Sequence, residues 1–231
     1  MNDVELSIVI PAYREEKNLE FILPRVSATL AAIGCTNEIL VIDTIDSMDG
    51  TEQVCKANGV RYLHREGGNE YGRAIKTGIA RARGEWLVFM DADGSHTPEF
   101  IADLYRNRLG YDVVIASRYV KGGSTDNSMM LIFMSRIVNL VYSLVLGLGC
   151  RDVSNSFKLY RSVDLSELTL FATNFDIVEE ILYKLKKRKG KLSLLEIPFS
   201  FKEREYGQTK RNTFKFIVTY VKTLFTLRFG K

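Results

Sequence analysis

Short, unbroken apolar runs alternate with amphipathic stretches along the first half of the chain. Glu5–Pro11 and Glu38–Asp43 read as apolar strands, Val60–His64 as a short third strand, and Trp86–Met90 has the continuous hydrophobicity of a strand buried on both faces. Pro11 ends the first, because proline cannot donate into a central ladder. Between them the periodicity predicts helices from Asn18 to about Ile33 (with Pro24 inside), from Thr51 through Asn58, and from Gly72 to Arg83. Asn18 and Thr51 are the expected caps, and Gly34, Gly59 and Gly84 the stops. This βαβαβαβ order with short connections requires a mostly parallel sheet covered by helices. Beyond it, Pro98 starts a helix ending near Gly110, and Asp112–Arg118 is a strand. Lys121–Ser124 is a mobile loop, and 128–148 a helix. Asp152–Tyr160 is a strand or extended loop, Asp176–Lys189 a helix, and Ser193–Phe201 contains a further strand. Glu203–Arg211 is a polar loop before a last helix, Thr213–Phe229. The whole chain, 1–231, reads as a single α/β domain.

The fourth strand ends abruptly in Asp91-Ala92-Asp93. If the extended geometry persists, both carboxylates share a face and repel unless a cation lies between them. Oxygen donors suit Mg²⁺ or Mn²⁺ rather than zinc. Taken alone, an acidic turn closed by Asp93-Gly94 explains the same residues. The place favours a site, since open α/β sheets bind ligands at the carboxyl ends of their strands. Loops after strands one, two and four can converge there, and the fifth strand delivers Arg118 to the same edge.

Composition is that of an ordinary globular protein: 46% apolar, 26% charged, net charge +4. The base collects in Lys184–Lys191 and Lys202–Arg211 and makes no continuous stripe, which argues against nucleic acid. Cys35, Cys55 and Cys150 match no zinc or redox spacing and read as reduced thiols of a cytoplasmic protein. The chain runs straight into a strand, without the pattern of a signal peptide. No Gly-x-Gly-x-x-Gly follows the first strand, where Pro-Ala-Tyr-Arg-Glu stands instead, so a dinucleotide oxidoreductase is excluded.

Two helices have unusual surfaces. Arg136, Asn139, Ser143 and Gly147 form one narrow polar face on 128–148, and Lys215, Thr219, Lys222 and Thr226 one on 213–229. The remainder is apolar. Either the helices are core or a homodimer contact, or they lie in a membrane interface with cationic ends near anionic headgroups. A spanning segment is not expected, because Arg136 and Asn139 interrupt the longest apolar stretch, Met129–Cys150.

Seven pieces in order carry a family resemblance. They are Ile10–Glu15, Val41–Asp43, Asp49–Thr51, Met90–Glu99, Ser117–Gly123, Asp152–Phe157, and Glu196–Pro198 followed by Arg204, Gly207, Thr209 and Lys210. Together they resemble the family 2 inverting glycosyltransferases with a GT-A fold, most of all the polyprenyl-phosphate glycosyltransferases of the dolichyl-phosphate mannose synthase type. The resemblance implies a Rossmann-like sheet flanked by helices, two of them amphipathic interface helices without a transmembrane domain. It implies that Pro11, Tyr13, Glu15, Asp43, Asp91, Ala92, Asp93, Arg118, Arg204 and Lys210 hold the nucleotide-sugar. Asp91, Asp93 and Ser95 would hold Mg²⁺ or Mn²⁺, and Arg118, Arg136 and Arg204 the acceptor phosphate. Asp91, Asp93 and Arg118 would be catalytic. Two departures stand out. After Asp43 the chain reads Thr44 where a second Asp is frequent, with one residue inserted. Ser154-Asn155-Ser156-Phe157 replaces a frequent Thr-Ser-Gly-Phe.

The expected reaction is metal-dependent inverting transfer of one sugar from GDP-mannose or a UDP-hexose or UDP-N-acetylhexosamine. The acceptor is a polyprenyl phosphate, at the cytoplasmic face of a membrane on which the protein is peripheral. A homodimer or an integral-membrane anchoring partner fits the apolar helices. A phosphate acceptor is already an anion and needs positioning more than a base. The alternative is transfer to a saccharide or a diphosphate-linked glycan, which requires a base, with His96 and Asp152 as candidates. His96 reads first as a satisfied polar residue after a strand end.

Overall fold

A computed structural model describes residues 3–205 and 213–230, with the backbone alone over 213–218. Strands β1 (Leu6–Pro11), β2 (Asn37–Asp43), β3 (Arg61–His64), β4 (Trp86–Phe89), β5 (Val113–Ser117), β7 (Lys158–Arg161) and β8 (Leu194–Pro198) form one sheet in the order β3-β2-β1-β4-β7-β5-β8. Only β7 runs antiparallel, against both β4 and β5. The carboxyl ends of β1, β2, β4 and β5 therefore share one edge, as the sequence predicts.

Alternation sends successive side chains to two separate cores. Ile8, Ile10, Val41 and Val88 face α1 (Glu16–Ile33), α2 (Thr51–Ala57) and α4 (Ile101–Arg106). Val9, Leu40, Ile42 and Leu87 face α3 (Tyr71–Arg81), α5 (Met129–Leu146), α7 (Ile177–Lys189) and α8 (Thr213–Phe229). Helix α3 lies directly on β1: a Cβ on Gly78 would come within 2.4 Å of Val9.

The expected caps are displaced. Asn18 lies inside α1, donating to Glu15 Oε2, and Thr51 is the first residue of α2 rather than its cap. Asp49 takes the capping role for both helices, accepting from the Glu16 and Thr51 amides, and Glu16 accepts in return from the Gly50 amide. The predicted Pro98–Gly110 helix is a 3₁₀ turn (Pro98–Phe100) followed by the short α4. The Asp152–Tyr160 stretch divides into a loop and β7, followed by a helix the periodicity did not show, α6 (Ser162–Ser166). Ser124, assigned to a mobile loop, begins β6 (Ser124–Thr125), which pairs with β9 (Ser200–Phe201).

Helix α5 is inside-out for a globular domain. Its polar Asn139 and Tyr142 are buried with Leu146, whereas Met129, Phe133, Leu140 and Leu144 stand outward at 81, 65, 59 and 72% exposure. The core reading of this helix is therefore overturned. Its 18 residues, with a mean hydropathy of 1.9, are long and apolar enough to cross a membrane by length and composition. The Tyr142 hydroxyl donates to the Tyr220 carbonyl and ties α5 to α8. On α8 the buried residues Tyr220, Thr223 and Leu227 form one face; Val221, Phe225 and Phe229 point outward, as do Lys222 and Thr226 of the predicted polar stripe. The side chain of Lys215 lies outside the described residues.

Candidate active site

The site is built where β1, β2, β4 and β5 end. Arg65, which the sequence reading missed, sews the first two ends together. Its guanidinium is buried and donates to the carbonyls of Asp43, Ala12 and Asn69. Asp43 is itself enclosed, at 1% exposure, its carboxylate accepting from the Tyr62 hydroxyl and the Thr44 amide. Pro11 closes β1, and Tyr13 stands at the surface beside Arg14, whose φ of 55° is the only positive value at a non-glycine residue among the described residues.

Asp91 and Asp93 do not share a strand face. The chain leaves the extended conformation after Met90, and Asp93 accepts from the Ser95 amide (3.1 Å) and hydroxyl (2.5 Å) in a turn that needs Gly94 at φ 81°. Local side-chain hydrogen bonding to the backbone outcompetes strand continuation here. Asp91 is instead held between two hydroxyls, those of Tyr71 and Ser156, each at 3.2 Å on a different oxygen. Ser156 stands where the resembling family often has Gly, so this departure adds a donor to the carboxylate. Ala92 between the two is buried.

Arg204 reaches across this turn. Its guanidinium lies 3.0 Å from Asp93 and 3.2 Å from Glu15, and the amides of Lys202 and Glu205 donate to the carbonyls of Ser95 and Asp93. Glu15, Asp93 and Arg204 are thus brought together. Lys210, with Gly207 and Thr209, lies outside the described residues.

His96 is structural. Its Nδ1 accepts the Asp91 amide (2.9 Å), which leaves the ring proton on Nε2 for Asn155 Oδ1 (3.2 Å). Asn155 in turn donates to the Ala116 carbonyl, so one chain of hydrogen bonds runs from the end of β5 to the Asp-x-Asp turn. The ring is fully buried and stacked on Phe157 at 4.6 Å; burial holds its pKa below the ordinary histidine value.

Arg118 and Asp152 form a bidentate pair at 2.8 and 2.7 Å, and the Asp152 carboxylate also accepts the Arg118 amide. Burial alone would raise the Asp152 carboxyl, but the guanidinium outweighs it and holds the pKa below the usual value. Arg118 and Arg136 both lie against the ring of Tyr119, at 5.0 and 5.5 Å from its centroid. Tyr119 was missed because a tyrosine after a strand carries no pattern of its own. So was Lys158, fully buried in β7, its amine donating to the Val153 and Asn155 carbonyls and pushed down to about 8 by burial.

Among the described residues no three His, Cys, Asp or Glu side chains converge on one point. The donor set still fits a hard cation: it is all oxygen, and Asp93 already faces a positive charge in Arg204. Asp93 and Asp91 would be the protein ligands. Ser95, the third residue expected there, directs its hydroxyl to Asp93.

Comparison with known proteins identifies the family and the fold. Residues 7–169 match the model of glycosyl transferase family 2. The chain is 32% identical to a dolichol-phosphate mannosyltransferase of Pyrococcus furiosus, over 97% of this chain and 64% of that protein, so it spans less than two thirds of that relative. It is also 32% identical to the polyprenol monophosphomannose synthase of Mycolicibacterium smegmatis, over 88% and 79% of the two chains. Among solved structures, glucosyl-3-phosphoglycerate synthase from Mycobacterium tuberculosis, in complex with Mn²⁺, UDP and phosphoglyceric acid, superposes with a TM-score of 0.75 at 21% identity, covering 99% and 80%. The same enzyme with Mg²⁺ and UDP gives 0.74 at 20% identity, covering 97% and 79%. The fold is GT-A, and the chain belongs to glycosyltransferase family 2.

Proposed function

We propose that this protein transfers one sugar from a nucleotide-sugar, GDP-mannose or a UDP-hexose or UDP-N-acetylhexosamine, to a polyprenyl phosphate at the cytoplasmic surface of a membrane. One observation carries the acceptor. Arg136 projects from the same helix whose outward side is apolar, and it shares the Tyr119 ring with Arg118. A cationic corner is thereby placed at the edge of an apolar face, which is what a lipid with a phosphate head requires. The names of the two relatives support the same acceptor class.

Mg²⁺ or Mn²⁺ bound at Asp93 and Asp91 would balance the charge of the departing nucleoside diphosphate. Tyr71 and Ser156 keep Asp91 in one rotamer. Arg204, released from Asp93, is positioned to meet the diphosphate, and Tyr13, Glu15 and Asp43 border the nucleoside side. The acceptor phosphate, already ionised, is oriented by Arg118 and Arg136 for attack opposite the leaving group. Transfer to a saccharide hydroxyl would need a base. Both candidates are committed elsewhere, His96 to Asp91 and Asn155, and Asp152 to Arg118.

The test is to incubate the protein with a panel of GDP- and UDP-sugars, Mg²⁺ or Mn²⁺ and a short polyprenyl phosphate, and to follow the lipid by mass. A gain of one hexose or N-acetylhexosamine, lost in Asp93→Ala, is the expected result. Transfer only to a saccharide or diphosphate-linked acceptor would refute the acceptor assignment.

A further inference from the structure

A groove of about 280 Å³ opens between the carboxyl-terminal ends of α5, α7 and α8, with Leu144, Val145, Tyr183, Lys186 and Arg228 in its wall. Lys186 is fixed there by donating to the Leu146 and Gly147 carbonyls, at 3.0 and 2.6 Å. Of the other bases of α7, Lys184 pairs with Glu180, Arg188 with Glu167, and Lys189 with Asp112 and Asp164, while the exposed Lys187 lies outside the groove wall. Lys186 and Arg228 have no acidic partner among the described residues, and the groove wall contains no carboxylate.

The position of the pair matters as much as its charge. Leu144 on α5 and Phe225 and Phe229 on α8 are 72, 60 and 69% exposed, so two outward apolar faces end at these two cations. Apolar surface bordered by base is complementary to an acyl layer bordered by phosphate. The groove is also distinct from the proposed acceptor corner. Gly147 follows Arg136 by three helical turns, about 16 Å along the axis.

We infer that this groove seats the phosphate of an anionic lipid headgroup, a second membrane contact that fixes how α5 and α8 lie on the surface. The inference rests on the membrane-surface reading above. Each basic residue near an anionic surface contributes about fivefold to partitioning, so the pair should contribute about 25-fold.

Flotation of the whole chain with phosphatidylcholine vesicles, with and without phosphatidylglycerol, tests it. Lys186→Gln with Arg228→Gln should lower partitioning onto the anionic vesicles about 25-fold. Partitioning onto neutral vesicles, and sugar transfer to a short water-soluble polyprenyl phosphate, should be unchanged. Lys17→Gln with Lys56→Gln removes equal charge from α1 and α2, on the opposite side of the sheet, and should change neither. Full anionic preference in the first variant would overturn the inference, as would an equal loss in the second. Absence of partitioning onto either vesicle would overturn the membrane-surface reading as well, whereas transfer to the soluble acceptor reports separately on the catalytic one.

Discussion

The Arg204 guanidinium lies 3.0 Å from the carboxylate of Asp93. In the metal site proposed above this carboxylate would also be a ligand, so arginine and metal would compete for it. Arg204→Gln should tighten Mn²⁺ binding severalfold in the absence of nucleotide, measured by calorimetry. Transfer should nevertheless fall about a hundredfold, because a cation facing the diphosphate is lost. Unchanged or weaker Mn²⁺ binding would show that the ion pair does not guard the site.

Asp93→Asn preserves shape and removes the charge. Mn²⁺ binding should be abolished and transfer reduced at least ~1000-fold. The melting temperature should move by only a few degrees, because Asp93 and Arg204 are both partly exposed. A large drop in melting temperature would mean that the turn, rather than the charge, had been lost.

Arg118 and Asp152 behave differently, because the pair is buried. Asp152→Asn leaves the guanidinium without its counter-charge, and breaking such a pair costs about 3–5 kcal/mol. Denaturant unfolding should record that loss. A cost below ~1 kcal/mol would place the pair in the category of solvated surface bridges.

Leu140 and Leu144 on α5 are 59 and 72% exposed. Replacing either with Gln should change the unfolding free energy by no more than about 0.5 kcal/mol. A core leucine truncated to alanine costs about 2–5 kcal/mol. A core-sized loss in the glutamine variants would mean that these side chains are covered in solution, as in a dimer.

Glu179 is fully buried, and burial pushes its carboxyl up to about 8 from an ordinary 4.5. Ionisable groups around it include Lys158, Asp176, Tyr142, Tyr160 and Tyr220. The folded protein holds this proton where the unfolded chain releases it. The stabilisation is therefore complete below pH 4.5 and is lost as pH rises through 8. Glu179→Gln stays neutral throughout. The stability of the native protein relative to this variant should decline by about 3–4 kcal/mol between pH 5 and 8. Parallel pH profiles for the two proteins would contradict the assignment.

The order of strands and helices up to Phe89 was legible because β1, β2 and β4 are buried on both faces over most of their length and each connection is short. Arg118 arrived at the expected edge for the same reason. Strand reversal at β7 was not legible: a four-residue strand buried on both faces reads identically in either direction. The Asp-x-Asp turn misled differently. Alternation correctly describes a strand, but Asp93 bonding to Ser95 ends the strand before alternation can apply. Arg65 and Tyr119 were invisible because Arg65 bonds the carbonyls of Asp43 and Ala12 and Tyr119 meets the guanidinium of Arg136, all distant in sequence. The outward apolar surface of α5 was not legible, because the same residues suit a core helix, and only its packing excludes that reading.

Asp49 fills the amino ends of both α1 and α2, and Glu16 closes the arrangement from the other side. In many nucleotide-binding α/β folds those amides, with the positive pole of the helix dipole behind them, are where a diphosphate rests. Here resident carboxylates have taken that place and cancelled the pole. On the proposed function, neutralising the donor would therefore fall to components that can come and go: a mobile ion and long basic side chains. Such a grip would be tunable by ionic strength in a way that a backbone cradle is not, and would release the spent nucleotide when its counter-ions leave.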